Sequence, residues 1–322
     1  MEKIKRLQDA FAAFLEALVF VKEPKELYDP IAYAVKQQGK RIRPMLCLLA
    51  CDMYDGPYDE VKYPALALEI AHNFTLIHDD IMDQAPLRRG KDTVFRKWDT
   101  NTAILSGDAA VFMAYDAAMH TPKAAACVAL LNEAMRAVCE GQRYDLSFET
   151  QQEVSVPEYL EMIRLKTAAL MASSVQMGAM VAGADEEDQR KLYDFGMDMG
   201  MAFQLQDDLL DCYGDVSVVG KIKGGDIVEN KRTMMFLKAL EFSSPAQRER
   251  LTTLYSGVVS LDPQSKTKEV IAMFDELHVK KAVECLIDGY LWQASAHLDD
   301  IKLNEERKSH LRRYVDMLFQ RV

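Results

Sequence analysis

The chain has 322 residues, of which 49% are hydrophobic and 28% are charged, a balance typical of a globular protein with a sizeable core. Its formal net charge of −11 argues against non-specific nucleic-acid binding, because a negative surface repels phosphates. No run of 18 or more apolar residues predicts a membrane span, and the N-terminus lacks the apolar block of a signal peptide, so we expect a cytoplasmic location.

Apolar residues recur with a period of about 3.6 along almost every long segment. This pattern predicts helices at 2–20, 24–38, 42–54, 60–83, 92–98, 101–118, 122–140, 156–182, 186–213, 232–241, 245–256, 265–273, 277–299 and 304–320. The segment from Gly214 to Thr233 is rich in glycine and lysine and is predicted to be a long loop acting as a mobile lid. No shift in composition marks a boundary, so residues 1–322 are predicted to form one all-α domain.

The six cysteines mostly lie in apolar helical stretches, and none has the spacing of zinc ligands. They are Cys47, Cys51, Cys127, Cys139, Cys212 and Cys285. This use of cysteine is typical of a reducing compartment and agrees with the cytoplasmic location.

An apolar helical run at 76–90 carries three carboxylates, Asp79, Asp80 and Asp83, followed by Arg88 and Arg89. Asp79 and Asp83 are four residues apart and share one helix face, with Asp80 to one side. Their mutual repulsion is relieved by a hard cation such as Mg²⁺, which shares its oxygen ligands with substrate phosphates. Because guanidinium groups bind phosphate in a fork, the pattern indicates a diphosphate site.

Acidic triplets on helices are more often solvated faces, so a single motif is a weak signal. A second copy, however, occurs at 203–211, where Asp207, Asp208 and Asp211 have the same spacing. Two such faces turned toward each other across a cleft would hold several metal ions and one diphosphate between them.

Basic residues lie near the ends of predicted helices. Lys40, Arg41 and Arg43 form a turn leading into a helix, which is a natural anion site. Lys166 lies inside an otherwise apolar helix, where an unpaired lysine is costly. Lys221 and Lys231 lie in the long loop after the second aspartate motif. Each alone is more often a solvated lysine, and only the set favours anion binding.

In this order the motifs resemble the trans-isoprenyl diphosphate synthases (polyprenyl synthetases), over essentially the whole chain. The matching stretches are 39–44, 69–72, 76–90, 106–108, 141–142, 166–167, 203–211 and 220–231. The resemblance implies a bundle of long helices around a central active-site cavity, the isoprenoid synthase fold. It also implies a Mg²⁺-dependent homodimer with three metal ions per site, in which Mn²⁺ can substitute.

The resemblance implies a role for each matching residue. Metal ligands would be Asp79, Asp83 and Asp207, with Asp80, Asp208 and Asp211 as catalytic supports. The allylic diphosphate would be bound by Arg88, Lys166, Lys221 and Lys231. Isopentenyl diphosphate would be bound by Lys40, Arg41, His72 and Arg89. Thr167 and Gln204 would line the reacting centre. Two departures stand out: Gln38 replaces a usual glycine, and Glu229-Asn230-Lys231 replaces a common glycine-lysine.

The reaction of the resembling family is ionisation, condensation and elimination. Magnesium ions and fixed lysines would neutralise the leaving diphosphate. We find no histidine or glutamate that must act as the base, so the released diphosphate is the expected base. His78 lies beside Asp79 but is expected to have a packing role. A dry apolar cavity would protect the carbocation from water.

Product length is expected to depend on side chains one turn before Asp79, since the growing chain extends down that helix. Thr75 is small and leaves space, whereas Phe74 is a rigid ring able to block the tunnel. In the resembling family, one aromatic residue here suggests a C15 to C20 product, farnesyl or geranylgeranyl diphosphate. The alternative is that Phe74 only packs in the core.

Two other functions remain open on the sequence. A class I terpene cyclase shares the helical fold and one aspartate motif, but does not need a second diphosphate site. A non-catalytic regulatory subunit or helical scaffold does not need six aspartates together with the basic set. Both are less favoured than a prenyl diphosphate synthase.

Overall fold

The computed structural model describes residues 1–18, 20, 22–151, 153–214, 224–257 and 261–320. Its regular structure is almost entirely helical, so the predicted all-α class is confirmed. The helices are α1 (Glu2–Ala17), α2 (Lys25–Val35), α3 (Ile42–Met53), α4 (Tyr58–Met82), α5 (Val94–Lys97), α6 (Thr100–Ala118), α7 (Ala124–Phe148), α8 (Val156–Ile163), α9 (Ala169–Val181), α10 (Glu186–Tyr213), α11 (Gly225–Val228), α12 (Met234–Phe242), α13 (Pro245–Leu254), α14 (Pro263–Glu276), α15 (Val279–Asp299) and α16 (Glu305–Phe319). A π-helical segment, Arg164–Ala168, connects α8 to α9.

Several helices begin where the sequence supplies a cap. Ser155 and Glu158 form a capping box at the start of α8, and Ser244 and Gln247 form another at the start of α13. The side chain of Asp262 caps the first turn of α14. A proline directly follows the capping residue of α13 and α14, and in α8 it follows one position later, where in each case its missing N–H costs nothing.

A short antiparallel hairpin separates α4 from α5 and was not predicted. Its strands are β1 (Leu87–Arg88) and β2 (Lys91–Asp92). The two turn residues, Arg89 and Gly90, have φ values of 54° and 74°, as a two-residue hairpin turn requires. The predicted helix at 92–98 was therefore too long at its start, because its first residue belongs to β2.

Two further boundaries differ from prediction. Helix α7 runs on to Phe148 rather than ending near residue 140. Within the predicted loop at 214–233, α11 forms one short helical turn. The lid prediction falls mainly on residues 215–223, which lie outside the described residues.

The chain divides into two compact units. The first comprises Met1–Met135, Leu170–Tyr193 and Leu298–Val315, and the second comprises Arg136–Ala169, Asp194–His297 and Asp316–Val322. The single domain expected over 1–322 stays a prediction. Among the described residues, no helix combines the length and the apolar character needed to cross a membrane.

Each unit has its own apolar core. In the first unit, α4 packs against α3 and α6, and the buried side chains include Met45, Leu49 and Ile70. In the second unit, Leu205 and Phe274 belong to a cluster of buried residues that brings together α8, α10, α12 and α14. These two cores fix the helix ends from which the candidate site residues project.

Candidate active site

The first aspartate motif occupies the last turn of α4. The helix stops immediately after it, since Gln84 adopts a left-handed conformation with φ 51° and the backbone N–H of Ala85 bonds to the carbonyl of Asp80 at 3.0 Å. This is the geometry of a Schellman cap. Carboxylates at a helix C-terminus oppose the helix dipole, so the placement itself favours a bound cation.

The three carboxylates of this motif have different surroundings. Asp80 is 3% exposed, whereas Asp79 is half-buried and Asp83 is exposed. Arg88 donates from Nε to Oδ1 of Asp80 at 2.8 Å. Burial raises the pKa of Asp80 to about 6, and the neighbouring Arg88 opposes that rise. Asp80 is thus held by the protein, and Asp79 and Asp83 are the more accessible pair.

A basic cluster in the first unit is built from α3, α4 and the hairpin. Arg41 precedes α3 in a left-handed conformation, with φ 49°. Its guanidinium donates to Glu69, to the carbonyl of Val35 at 2.8 Å and to the carbonyl of Gln37. Arg41 was predicted to bind isopentenyl diphosphate, and in this structure its terminal nitrogens are directed at protein acceptors.

Arg89 and Arg43 complete this cluster. The guanidinium of Arg89 lies over the turn at Gly39, where a Cβ added to the glycine would be 2.9 Å from it. The Nε atom of Arg43 is buried and has no hydrogen-bond partner among the described residues. Burial lowers the pKa of Arg43 to about 10, which leaves it charged at neutral pH. Lys40 is exposed at the same turn.

His72 lies among these arginines. Burial lowers its pKa well below the ordinary value, and Arg43, Arg89, Arg88 and Arg41 lower it further. His72 is therefore neutral at physiological pH, and its ring N–H can donate a hydrogen bond to an anion without adding positive charge. The first unit thus brings Arg41, His72 and Arg89, predicted to bind isopentenyl diphosphate, close to Arg88, predicted to bind the allylic diphosphate. These roles stay predictions.

His78, for which the sequence predicts a packing role, contacts α6, where its Nε2 also lies 3.8 Å from Oδ1 of Asp108. Its Nε2 lies 3.1 Å from the carbonyl of Ile104, and a Cβ on Gly107 would lie 2.2 Å from the same atom. The ring of Phe74 packs edge-on against His78, with centroids 5.1 Å apart. Thr75 donates its hydroxyl to the carbonyl of His72 at 2.8 Å.

The second aspartate motif lies in the last two turns of α10, again near a helix C-terminus. Asp207 is exposed, Asp211 is buried, and Asp208 is 2% exposed. Asp208 accepts hydrogen bonds from the phenol of Tyr159 at 2.5 Å, from Nε2 of Gln204 at 3.1 Å and from the backbone N–H of Met234 at 3.2 Å. In both motifs the second aspartate is therefore held inside the protein.

The pKa of Asp208 is raised to about 8, chiefly by burial. The hydrogen bonds from Tyr159, Gln204 and Met234 oppose that rise, while the charge of Asp226 adds to it. The Asp226 carboxylate thus lies close enough to act on the second motif.

Lys166 and Thr167 lie in the π-helical segment of the second unit. Lys166 forms an ion pair with Asp145 at 2.5 Å. Thr167 donates to Oε1 of Gln204 at 2.8 Å, which fixes the amide that reaches Asp208. A Cβ on Gly141 would lie 2.3 Å from the backbone nitrogen of Lys166. The lack of a side chain at Gly141 therefore lets the backbone of α7 pack directly against this segment. π-Bulges of this kind are frequent at functional sites.

The segment after the second motif returns to Asp211. The backbone N–H of Asp226 donates to Oδ2 of Asp211 at 3.2 Å, and the N–H of Gly224 donates to its carbonyl at 2.8 Å. Nζ of Lys231 lies 2.9 Å from Glu229 and 3.9 Å from Asp226. Lys221, predicted to bind the allylic diphosphate, lies outside the described residues.

Four residues at these sites were not singled out from the sequence. Arg43 was noted only as part of a basic turn, although its unbonded Nε marks it as a candidate anion ligand. Asp145, Tyr159 and Asp226 contact or influence predicted residues through long-range packing. No local pattern around Asp145 or Tyr159 could have identified them, whereas Asp226 belongs to a matching stretch.

Comparison with known proteins finds relatives along most of this chain. The family model described as polyprenyl synthetase matches residues 24–274. Geranylgeranyl diphosphate synthase of Methanosarcina mazei is 33% identical over 306 residues, covering 94% of this chain and 92% of the relative. Geranylfarnesyl diphosphate synthase of Natronomonas pharaonis is 36% identical over 310 residues, covering 89% and 88%.

Solved structures show the same fold. A crystal structure of geranylgeranyl pyrophosphate synthase superposes with a TM-score of 0.94 at 40% identity, covering 99% of this chain and 98% of that one. A polyprenyl synthase from Caulobacter crescentus, solved with calcium and isoprenyl diphosphate, gives a TM-score of 0.86 at 28% identity, with 98% and 96% covered. The isoprenoid synthase fold expected from the sequence is therefore confirmed.

Proposed function

The chain belongs to the polyprenyl synthetase family, and we propose that it makes a C15 or C20 trans-prenyl diphosphate. It is a trans-prenyltransferase that condenses isopentenyl diphosphate with allylic diphosphates. The observation that carries the proposal for its site is the pair of aspartate motifs at the C-termini of α4 and α10. The basic cluster around His72 supports a second diphosphate site.

The carboxylates suit a hard divalent cation. Asp79, Asp83 and Asp207 are the less buried members of their motifs, and Mg²⁺ prefers a few carboxylate oxygens together with phosphate and water. Among the described residues, no group of three or more His, Cys, Asp or Glu side chains is arranged to hold a metal alone. We assign metal binding to Asp79 and Asp83 at the end of α4 and to Asp207 near the end of α10.

The side chains around the aspartates prepare the site for ionisation of the allylic substrate. Bound Mg²⁺ supplies Lewis acidity that neutralises the leaving diphosphate. Arg88 and Lys166 add fixed positive charge, and their ion pairs with Asp80 and Asp145 hold them in place before substrate arrives. Thr167 and Gln204 form a hydrogen-bonded row that orients Asp208. Lys221 and Lys231 stay proposed ligands of the same diphosphate.

Isopentenyl diphosphate is assigned to the basic cluster of the first unit. Arg89 and Arg43 supply charge, Lys40 adds an exposed ammonium, and neutral His72 supplies a hydrogen bond. Arg41, paired with Glu69, contributes to the positive potential and shapes the turn. We retain released diphosphate as the base for the final proton, since Nε2 of His78 lies 3.1 Å from the carbonyl of Ile104.

Product length is the finer part of the proposal. The two relatives described above make products of different length by their names, so family membership does not fix it. We assign the control to Phe74 and Thr75 on α4, before Asp79. The half-buried Phe74 ring rests on His78, which limits its freedom to swing aside and supports a C15 to C20 product.

We also propose that the enzyme is a homodimer that pairs through α6. Leu105 and Phe112 on α6 and Met119, its C-cap residue, are 59%, 70% and 53% exposed and recur every seven residues, while another face of α6 packs against α4. Such an apolar stripe on a surface helix is typical of a protein interface. Light scattering should give a dimer for wild type and a monomer for Phe112→Lys. The cytoplasmic location expected from the sequence stays a prediction.

The function is tested by diphosphate release. Purified protein is mixed with Mg²⁺, isopentenyl diphosphate and geranyl diphosphate, and each substrate is also tested alone. A synthase releases diphosphate and forms a longer prenyl chain only when both substrates are present. Release from the allylic substrate alone would indicate a cyclase, and no release from any mixture would support a non-catalytic subunit.

A further inference from the structure

A lysine inside the second unit has no role in the chemistry described so far. Lys266 lies on α14 and is 8% exposed. Its Nζ lies 2.5 Å from the carbonyl of Ile227 and 2.5 Å from Oδ1 of Asn230, and 5.1 Å from the ring centre of Tyr255. Burial lowers the pKa of Lys266, so the protein gives up free energy to keep it there.

The acceptors of Lys266 lie at the end of α11, a helix of only four residues. So short a helix is not stable without outside contacts. Its C-terminal carbonyls carry negative partial charge, which a lysine satisfies. Asn230 follows in a left-handed conformation with φ 60°, and its side chain accepts the second bond from Lys266. The ammonium therefore fixes both the last turn and the residue that ends it.

The same segment is fastened to the second aspartate motif on its other side. Asp211 accepts the N–H of Asp226 through its carboxylate and the N–H of Gly224 through its carbonyl. Residues 224–231 thus lie between two anchors, Asp211 on α10 and Lys266 on α14. This segment carries Asp226, whose charge acts on Asp208, and Lys231.

We propose that Lys266 is a positioning residue that holds residues 224–231 against the second aspartate motif, so that Asp226 and Lys231 keep their places beside the metal and the allylic diphosphate. The proposal rests on the proposed function. Lys266 would act through its bonds to Ile227 and Asn230. Its loss should weaken use of metal and allylic substrate, while the isopentenyl diphosphate site in the other unit keeps its affinity.

The test compares Lys266→Met with a matched control. Methionine keeps the apolar length of the side chain and removes its hydrogen-bond donors. Lys308 is the control, because it is 3% exposed and its Nζ also bonds carbonyls at a helix end, those of Asp299 and Ile301, each at 3.3 Å. Lys308 also pairs with Glu305 at 2.7 Å, and Lys308→Met should reproduce the loss of a buried lysine in the first unit.

Hydrogen exchange of the metal-free, substrate-free protein is the first readout. Lys266→Met should speed amide exchange in residues 224–231 by about tenfold, since a hydrogen-bonded anchor is lost. Lys308→Met should leave that segment unchanged. Because this measurement needs no turnover, it tests the role of Lys266 even if the wild-type protein is inactive. Inactivity of the wild-type protein would reject the proposed function and not the role of Lys266.

Kinetics is the second readout. Lys266→Met should raise the Mg²⁺ concentration for half-maximal activity and the KM for the allylic substrate by about tenfold each, with the KM for isopentenyl diphosphate unchanged. If Lys266→Met does not fold, Asn230→Gly removes one acceptor, tolerates the positive φ and should shift the same quantities less. Unchanged exchange in residues 224–231, or equal kinetic effects from Lys266→Met and Lys308→Met, would overturn the proposal.

Discussion

The phenol of Tyr159 donates a 2.5 Å hydrogen bond to Oδ2 of Asp208, and both side chains are buried. Removing the hydroxyl leaves the buried carboxyl group of Asp208 short of a donor, which is costlier than losing a surface bond. Tyr159→Phe should therefore lower the free energy of unfolding by about 1–3 kcal/mol, measured by chemical denaturation.

Tyr213→Phe provides the control for that measurement. Tyr213 donates to Asp275 at 2.8 Å, but Asp275 is exposed to solvent. Loss of this hydrogen bond should lower the free energy of unfolding by about 0.5 kcal/mol or less. Equal losses from the two variants would show that the buried bond to Asp208 has no special weight.

The stability of the metal-free protein should depend on pH through Asp208. Folding raises its pKa to about 8, whereas an unfolded aspartate titrates near about 4. The folded protein therefore keeps a proton that the unfolded chain has released. The resulting stability is fully present below about pH 4 and is lost as pH rises through about 8.

Asp208→Asn isolates that contribution from other groups. Wild-type unfolding midpoints should fall relative to those of Asp208→Asn as pH is raised from about 5 to about 9. His72 has the opposite effect at low pH, because its lowered pKa makes the folded protein less stable as pH falls. This effect is the same in wild type and in Asp208→Asn, so it cancels in the difference between their unfolding midpoints. Parallel pH profiles would contradict the raised pKa.

Asp79→Ala and Asp207→Ala should each reduce turnover by about 10³-fold or more while leaving the helical circular dichroism unchanged. Both side chains are accessible and are expected to bind cations, so removing them deletes a ligand without disturbing the core. Product formation is measured at saturating Mg²⁺. Asp59→Ala, at the exposed start of α4, is the control and should retain activity. Near-normal activity in the Asp79 or Asp207 variant would reject the metal assignment.

The two diphosphate sites should separate in steady-state kinetics. Arg89→Ala should chiefly raise the KM for isopentenyl diphosphate, because Arg89 belongs to the basic cluster around His72. Lys166→Ala should chiefly impair use of the allylic partner, as should Lys221→Ala. Each substrate is varied with the other saturating. Identical changes in all three variants would count against two distinct sites.

Phe74→Ala should lengthen the product by at least one isoprene unit, and Thr75→Phe should shorten it. The first change removes a ring that rests against His78, and the second adds one beside it. Chromatography of the dephosphorylated products compares both variants with wild type. An unchanged product from Phe74→Ala would mean that the ring only packs against His78 and that the tunnel ends elsewhere.

The sequence predicts most helices because periodicity and caps are local signals. Predicted boundaries at 42–54 and 186–213 agree with the structure to within one residue. The hairpin escaped prediction because two-residue strands are too short to show alternation, and its turn uses arginine before glycine. Helix α7 was cut short near Gly141, a residue that here serves close packing against Lys166 rather than helix termination.

Site residues divide in the same way. The aspartates and the basic turn are visible because like charges at fixed spacing make a motif. The burial and internal hydrogen bonds of Asp80 and Asp208 cannot be read from the sequence. Arg88 is eight residues from Asp80, and Tyr159 is 49 residues from Asp208. The hydrogen bond from Arg41 to Glu69 is equally hidden in the sequence, because only the fold brings these two residues together.

The π-helical segment has a consequence for the length of the chain. In it the N–H of Ala169 bonds to the carbonyl of Arg164, five residues back instead of four. Deleting one residue between 164 and 168 would restore an ordinary α-helix and turn Thr167 by about 100° relative to α8, carrying its hydroxyl away from Gln204. This stretch should accept changes of side chain at Arg164, whose partly exposed guanidinium pairs with Glu161, but no insertion or deletion.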